Sequence, residues 1–477
     1  MKWRAQNIKC WGWNIPYNGK VIFMYSLKNS SGYDASLQLE GCSSKEATEM
    51  RKGILEAPNT EDIYEITGKK YYIPKGTPAN QIPKDLEHGD ALLFERGGLW
   101  RVTVDDHYRI PEGVIVGAYG QGEKPRFYGS AYNYADRSLW EKHDEHIWKR
   151  VMRGGNPGII TFDEKYALGV KKWTLEEVKE DYDYYYEDDT EIIYLYYDGD
   201  LEEFESIEIG QRDNVIVLEH NTVLDNVCVR HGAAHGVDAV NNAHNVTITN
   251  CEIGFIGGSR QFKQVRYGNG IEFGLGAQNI VVRNNWVYQC YDAGITFQSW
   301  TSGTIESYYH NIDFSANLIE YCYYGIEYFT TCKEDGGNYS EYKNITLNDN
   351  IIRFSAYTWS HEQRPDKWMA SHIRGGQWAY VKNCEGFEIK RNIFDCCRGC
   401  IIFWWWYDEE KNFLFAEPHN GLTVCDNTYY QGPTFDGRVM TYHQNVPTMA
   451  KDEAGLIEGI ARFDPKPKKI VWLEENK

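Results

Sequence analysis

Four short segments place an acidic or hydroxylic residue at one fixed offset from a glycine. They read Gly236-Val-Asp238-Ala, Gly270-Ile-Glu272-Phe, Gly294-Ile-Thr296-Phe and Gly325-Ile-Glu327-Tyr. Successive side chains of an extended strand point to opposite faces. With the Val or Ile packed inward, Asp238, Glu272, Thr296 and Glu327 share one outer column. Asp292, two residues before Gly294, points to the same neighbourhood. Carboxylates held at the ~5 Å spacing of stacked strands repel, and their pKa values separate. One carboxyl then serves as acid while another serves as base at a single pH. Glu272, Asp292, Glu327 and Asp238 are therefore the candidate catalytic group. Each alone also fits a solvated surface carboxylate, and Asp238 also fits a role in orienting a neighbour.

Long segments cluster beside these strands. Residues 256–268 precede one of them, 298–310, 329–343 and 404–420 follow others, and 354–385 takes the corresponding place in another copy. Loops erupting on one side of a rigid array build the walls of a cleft. Candidate substrate contacts in and around them are Arg266, Tyr267, Gln298, Trp300, His310, Tyr328, Arg364, Asp366, His372, Arg374, Trp404 and Trp405. Indole and phenol rings stack on sugar faces, and Arg, Gln and His bond hydroxyls or anionic groups. The Trp404-Trp405-Trp406 run equally fits loop packing. His372 and Arg374 equally fit loop carbonyls. Cys397-Arg-Gly-Cys400 has CxxC spacing without a second ligand pair, so no metal site is assigned.

The elements that must position these residues announce themselves by repetition. Six alternating segments run Asn245–Cys251, Asn279–Asn285, Asn311–Asn317, Asn344–Asn350, Gly386–Asn392 and Gly421–Asn427, recurring every 32 to 42 residues. Their second and fourth positions are apolar, a period of two, and the segments are too short for helical repeats. Strands of this kind stack as coils at the ~4.8 Å strand spacing. Asn285, Asn317, Asn350, Asn392 and Asn427 then form a column in which side-chain amides bond along the stack and tolerate a bent turn backbone. The expected fold is all-β: a right-handed parallel β-helix, a solenoid with an N-terminal cap, an inserted subdomain and long loops on one side.

The expected organisation is a cap over 1–85, the helix over 86–432 with an insertion at about 132–210, and a covering tail over 433–477. Ser43–Leu55 reads as a helix with a serine cap. Within the insertion, Trp140–Arg153 and Thr174–Glu180 allow helix, and Glu191–Tyr197 reads as a strand. The tyrosine-rich Asp181–Tyr186 fits a ligand wall or strand packing.

The 477 residues carry a net charge of −19, with 42% hydrophobic and 15% aromatic residues. That charge argues against nucleic acid and would repel a polyuronate unless Ca²⁺ bridged the two. No segment reaches the ~18 apolar residues of a membrane span, and the N-terminus has no apolar run to act as a signal peptide. A full-length chain is therefore expected in the cytoplasm, and one trimmed of a leader is expected to be secreted. Of the 12 cysteines, Cys251, Cys290, Cys322 and Cys396 fall where small apolar residues pack inward, and are expected reduced.

The stretches Gly89–Gly97, Pro111–Gly129, Arg266–Gln298 and Gln363-Arg-Pro-Asp-Lys367 resemble the pectate-lyase-like superfamily of right-handed parallel β-helix proteins. The layout is similar to β-helix glycoside hydrolases that include xylanase and α-L-fucosidase members. The resemblance implies a glycoside hydrolase acting on a neutral or weakly charged oligo- or polysaccharide, without a cofactor. Two runners-up stay open. One is a lyase on a uronate glycan, in which the acidic column holds Ca²⁺ and Arg374, His372 or Tyr267 is the base. The other is a β-helix that binds glycans without turnover.

Overall fold

The structure is a computed structural model that describes residues 14–17, 20–23, 42–102, 108–164, 167–211, 213–299, 307–330, 340–365, 369–375, 381–404, 421–432, 439–443 and 446–473. Three ten-stranded sheets run its length. They are parallel throughout, save one antiparallel pair at an end, Val439–His443 with Val446–Ala450. Each turn of the coil visits the sheets in the same order. Ala293–Ser299 lies in the first, Ser307–Ser315 in the second and Leu318–Glu320 in the third, and Tyr324–Thr330 returns to the first. This is the right-handed parallel β-helix that the repeats lead one to expect.

Register follows the apolar residues. In the first sheet Val237, Ile271, Ile295, Ile326, Ile373 and Ile402 pair in sequence, all fully buried. A one-residue slip in any coil would turn that residue outward. Cys251, Cys290 and Cys322 join the same interior, whereas Cys396 packs in a separate cluster with Tyr321 and Phe354. The cysteines among the described residues are free thiols.

The asparagine column is present, and its side chains are fully bonded. Asn350 Oδ1 accepts from the Asn317 N–H at 2.9 Å and from Asn317 Nδ2 at 3.1 Å. Its own Nδ2 donates to Phe314 O at 2.9 Å and to Asn392 Oδ1 at 3.1 Å. The pattern repeats from Asn285 to Asn427, where the last amide donates to Asp464 at 3.1 Å. The bent backbone, however, falls one residue earlier than expected. Asn284, Ala316, Asp349, Arg391 and Asp426 have φ between 55° and 60°, and the column asparagines do not.

A second amide ladder, on the outer surface, was not expected. Asn221, Asn245, Asn279, Asn311 and Asn344 sit at φ of 54° to 60°, which asparagine tolerates better than most residues. Each Nδ2 donates to the preceding Oδ1 at 2.7 to 2.9 Å. Asn221, the first, donates to Glu112 at 2.7 Å. The two ladders therefore run in opposite directions, and each ends its donor side on a carboxylate.

The expected N-terminal helix spans Ser44–Leu55. Ser43 does not cap it: its hydroxyl donates instead to Asp395 at 2.6 Å. The helix lies against the outside of the third sheet, where Arg51 pairs with Glu320 at 2.8 Å and covers the Trp286 ring. The insertion forms a five-stranded sheet around its own aromatic core, which includes Tyr134, Trp148, Tyr184 and Tyr186. Helix was allowed over Trp140–Arg153, but strand is found at Glu141–Lys142 and Ile147–Val151. Antiparallel pairing of Ile147–Val151 with Ile192–Tyr196 holds the segment as strand. Glu164 ties the insertion to the coil, accepting from Tyr128 at 2.8 Å and pairing with Arg230 and His231. Among the described residues no helix is long and apolar enough to cross a membrane.

Replacing Asn350 with Ala strands a backbone N–H and a carbonyl in the interior, and should lower unfolding free energy by roughly 2–4 kcal/mol. Asn311→Gly keeps the left-handed turn on the exposed ladder and should cost about 1 kcal/mol or less. Urea titrations of both variants compare the two ladders, and equal losses would show that burial does not set the difference.

Candidate active site

The first sheet aligns the predicted column. Val217, Asp238, Glu272, Thr296, Glu327 and Arg374 are consecutive partners across five rungs. Their neighbours Ile271, Phe273, Ile295, Phe297 and Ile326 fill the interior, so the column points away from it. It is nevertheless covered: Glu272 is 6% exposed and Glu327 only 1%. Glu272 and Glu327 stand two rungs apart, ~9.6 Å between backbones at the usual strand spacing.

Each carboxyl has its own surroundings. Glu272 Oε2 lies 2.9 Å from His235 Nδ1 and accepts from Asn269 Nδ2 at 2.7 Å, and Gln298 bonds it as well. The Asn269 N–H also approaches His235 Nδ1, at 3.1 Å. The shorter, charge-assisted contact places the Nδ1 proton toward Glu272. Burial works to raise the Glu272 pKa, but the His235 charge and these donors hold it below the usual range. Burial would lower the His235 pKa; Glu272, then Asp238 and Asp292, raise it to about 9. Burial raises Asp238 to about 7, with His235 opposing and Glu272 reinforcing. Asn214 donates to Asp238 at 2.8 Å and accepts the His235 N–H at 3.0 Å.

The other half of the column is built around arginine. Arg374, the ladder partner of Glu327, donates to its carboxyl and lies 4.7 Å over the Tyr324 ring. Burial raises the Glu327 pKa to about 8; Arg374 opposes this, and Asp292 and Glu272 add to it. Asp292 accepts from Arg364 Nη1 at 3.0 Å, and that guanidinium sits 3.8 Å over Tyr323. All four candidate carboxylates thus share one electrostatic cluster. Thr296, between Glu272 and Glu327, is fully buried, and its Oγ1 has no hydrogen-bond partner among the described residues. A hydroxyl so placed costs about 1–3 kcal/mol.

The predicted contacts divide. Gln298 and Tyr267 belong to the cluster, the latter with its ring 5.5 Å from His235. Arg364 and Arg374 belong to it as partners of carboxylates. Arg266 does not: it is buried, bonding Gly258 O, Gly158 O at 3.0 Å and Gln363 at 2.7 Å, between the Tyr291 and Trp359 rings. It locks hairpin, insertion and the short helix Trp359–Gln363 together. Tyr328 turns inward onto Phe297 and Phe387, as alternation after Glu327 requires. His372 is also interior, with Nδ1 2.9 Å from Ser355 Oγ, and burial depresses its pKa to about 3. His310 stands on the second sheet, laddered between Gln278 and Lys343 and 3.3 Å from Glu341. Trp404 ends the strand Cys400–Trp404, opposite Gly375. Its side chain, and Trp300, Asp366 and Trp405, lie outside the described residues.

His235, Asn214 and Asn269 were missed. His235 and Asn269 each stand one residue before the glycine of their motif, as His235-Gly236 and Asn269-Gly270. A polar residue at that fixed offset was the available signal.

Comparison with solved structures finds matches at low similarity. One is described as XylC in complex with xylose: 10% identity, TM-score 0.36, covering 76% of this chain and 83% of that one. A structure described as a glycoside hydrolase is 9% identical at TM-score 0.39, covering 85% and 96%. A family 28 exopolygalacturonase from Yersinia enterocolitica is 13% identical at TM-score 0.37, covering 92% and 75%. At scores this low the likeness carries no argument about fold or chemistry. No family model matches the chain, and no curated protein matches it.

The His235–Glu272 pair makes stability pH-dependent. The His235 pKa is raised in the folded chain, so its contribution is complete below the unfolded value near ~6.5 and is lost as pH rises through about 9. Nuclear magnetic resonance of labelled histidines should show one imidazolium persisting to about pH 9. In Glu272→Gln that resonance should titrate below neutrality, because the opposing burial remains. A normal midpoint in the wild type would break the pairing.

Proposed function

We propose that the chain is a glycoside hydrolase acting on a neutral or weakly charged oligo- or polysaccharide. The observation that carries this is two carboxyls in one column with unlike surroundings: Glu272 bonded by His235 and Asn269, which hold its pKa down, and Glu327 buried beside Arg374, where burial pushes the pKa up. Glu327 acts as general acid, giving its proton to the glycosidic oxygen as the bond to the anomeric carbon breaks. Glu272 acts as general base, taking a proton from the water that forms the new bond. Arg374 then stabilises the ionised Glu327, and His235 keeps Glu272 charged between turnovers. A two-rung backbone spacing of ~9.6 Å stands at the upper edge of the ~6.5–9.5 Å carboxyl separation of inverting enzymes.

Charge supports a neutral substrate. Glu272 faces His235, Asp292 faces Arg364 and Glu327 faces Arg374, with Asp238 near half-protonation at neutral pH. The cluster is close to balance, and both arginines already have carboxyl partners. A uronate-directed lyase needs a cation committed to the substrate's carboxylate, which makes it the weaker reading.

Glu272→Gln and Glu327→Gln should each lower turnover on a responsive glycan by about 10²–10⁴-fold while the fold survives. Full activity in both purified variants would remove the mechanism. Activity should fall on the alkaline side through about 8, as Glu327 loses its proton, and on the acid side below the ordinary carboxylate value of 4.5. The anomer first released should be inverted. Retention would point instead to Asp238 and Glu272, one rung apart, and ultraviolet absorbance from an unsaturated product would favour the lyase.

A further inference from the structure

We propose that Thr296 holds the attacking water, an assignment that rests on the hydrolase reading and adds to it the place from which water attacks. Thr296 is the only uncharged residue between the two proposed catalytic carboxyls, paired directly with Glu272 on one side and Glu327 on the other. Both neighbours are turned to other partners: Glu272 to His235 and Asn269, Glu327 to Arg374. The Thr296 hydroxyl, fully buried, is left with no partner among the described residues.

Buried hydroxyls are nearly always bonded, and one left open at the midpoint of an acid–base pair is matched to a small polar species. The branched Cβ restricts χ1, so the strand fixes where Oγ1 points. A water there gives one hydrogen to the Glu272 carboxylate and the other, as a hydrogen bond, to Thr296 Oγ1. A lone pair then faces the anomeric carbon. As the C–O bond to water forms, its proton passes to Glu272. The electrons of the breaking glycosidic bond go to the leaving oxygen, which takes the Glu327 proton. Water is the only co-reactant.

Thr296→Val and Thr296→Ser separate this role from packing. The valine keeps shape and removes the hydroxyl. Its kcat should fall on the order of 10²-fold with KM nearly unchanged, as for a misplaced reactant. Its melting temperature should change little, because the hydroxyl's partner is water rather than another part of the chain. The serine should restore most of kcat. Wild-type kcat in the valine variant would overturn the proposal, as would a lowered melting temperature with no rescue by serine. Glu272→Gln and Glu327→Gln run in parallel keep the two failures apart. If both are inactive while Thr296→Val is fully active, only the water assignment falls; if both are fully active, the hydrolase reading falls. A high-resolution crystal structure of the unliganded protein adds a test that needs no substrate. Water bridging Thr296 Oγ1 and Glu272 is expected, and a hydroxyl satisfied by another part of the chain would overturn the assignment.

Discussion

Register between successive coils is the constraint on which everything else rests. No single coil holds a site. Asp238, Glu272, Thr296 and Glu327 meet because four separate strands stop at the same height. Two kinds of bonding enforce that height. Buried aliphatic side chains penalise a slip by exposing themselves, and the inner asparagines penalise it by stranding amides where water cannot reach. The first is strong but tolerant of direction. The second is directional, since every Oδ1 accepts from the coil before it, while every Nδ2 donates both to a carbonyl of that coil and to the side chain of the coil after it.

The column tolerates its own charge because it is neutralised locally. Four carboxyls would be untenable behind a covering layer were they alone. His235, Arg364 and Arg374 enter from outside the acidic rungs or at their end, and each faces a different carboxyl. The consequence is division rather than averaging. Glu272 receives a cation and two amide donors, whereas burial outweighs the single guanidinium at Glu327. Two residues of the same type in the same column thereby acquire different protonation at neutral pH.

Much of this was legible in the chain. The repeat with its apolar pair identified the coil, and the glycine offset identified the column, because both depend on a period of two that sequence states outright. The partners were harder. His235 and Asn269 precede their glycines at a corner, where alternation no longer says which way a side chain points. Arg266 looked like a sugar ligand because it lies near Glu272 in sequence. Its guanidinium instead turns to Gly158 and Gln363, each about a hundred residues away. Tyr328 and His372 were misplaced for different reasons. Tyr328 obeys the alternation that should have sent it inward, and His372 turns inward to meet Ser355, a contact no local pattern encodes. The outer ladder escaped notice because asparagine at the strand starts reads simply as a turn residue.

The opposed amide ladders bear on how such a molecule changes length over evolutionary time. Their rungs are interchangeable, so duplicating or losing one whole coil in the middle would leave every amide with a mate. The ends are different. Glu112 and Asp464 absorb the donors that a finite stack must leave over. A copy stitched on beyond either would face an anion rather than a carbonyl. The interior of the rod is thus modular, while its two termini are punctuation.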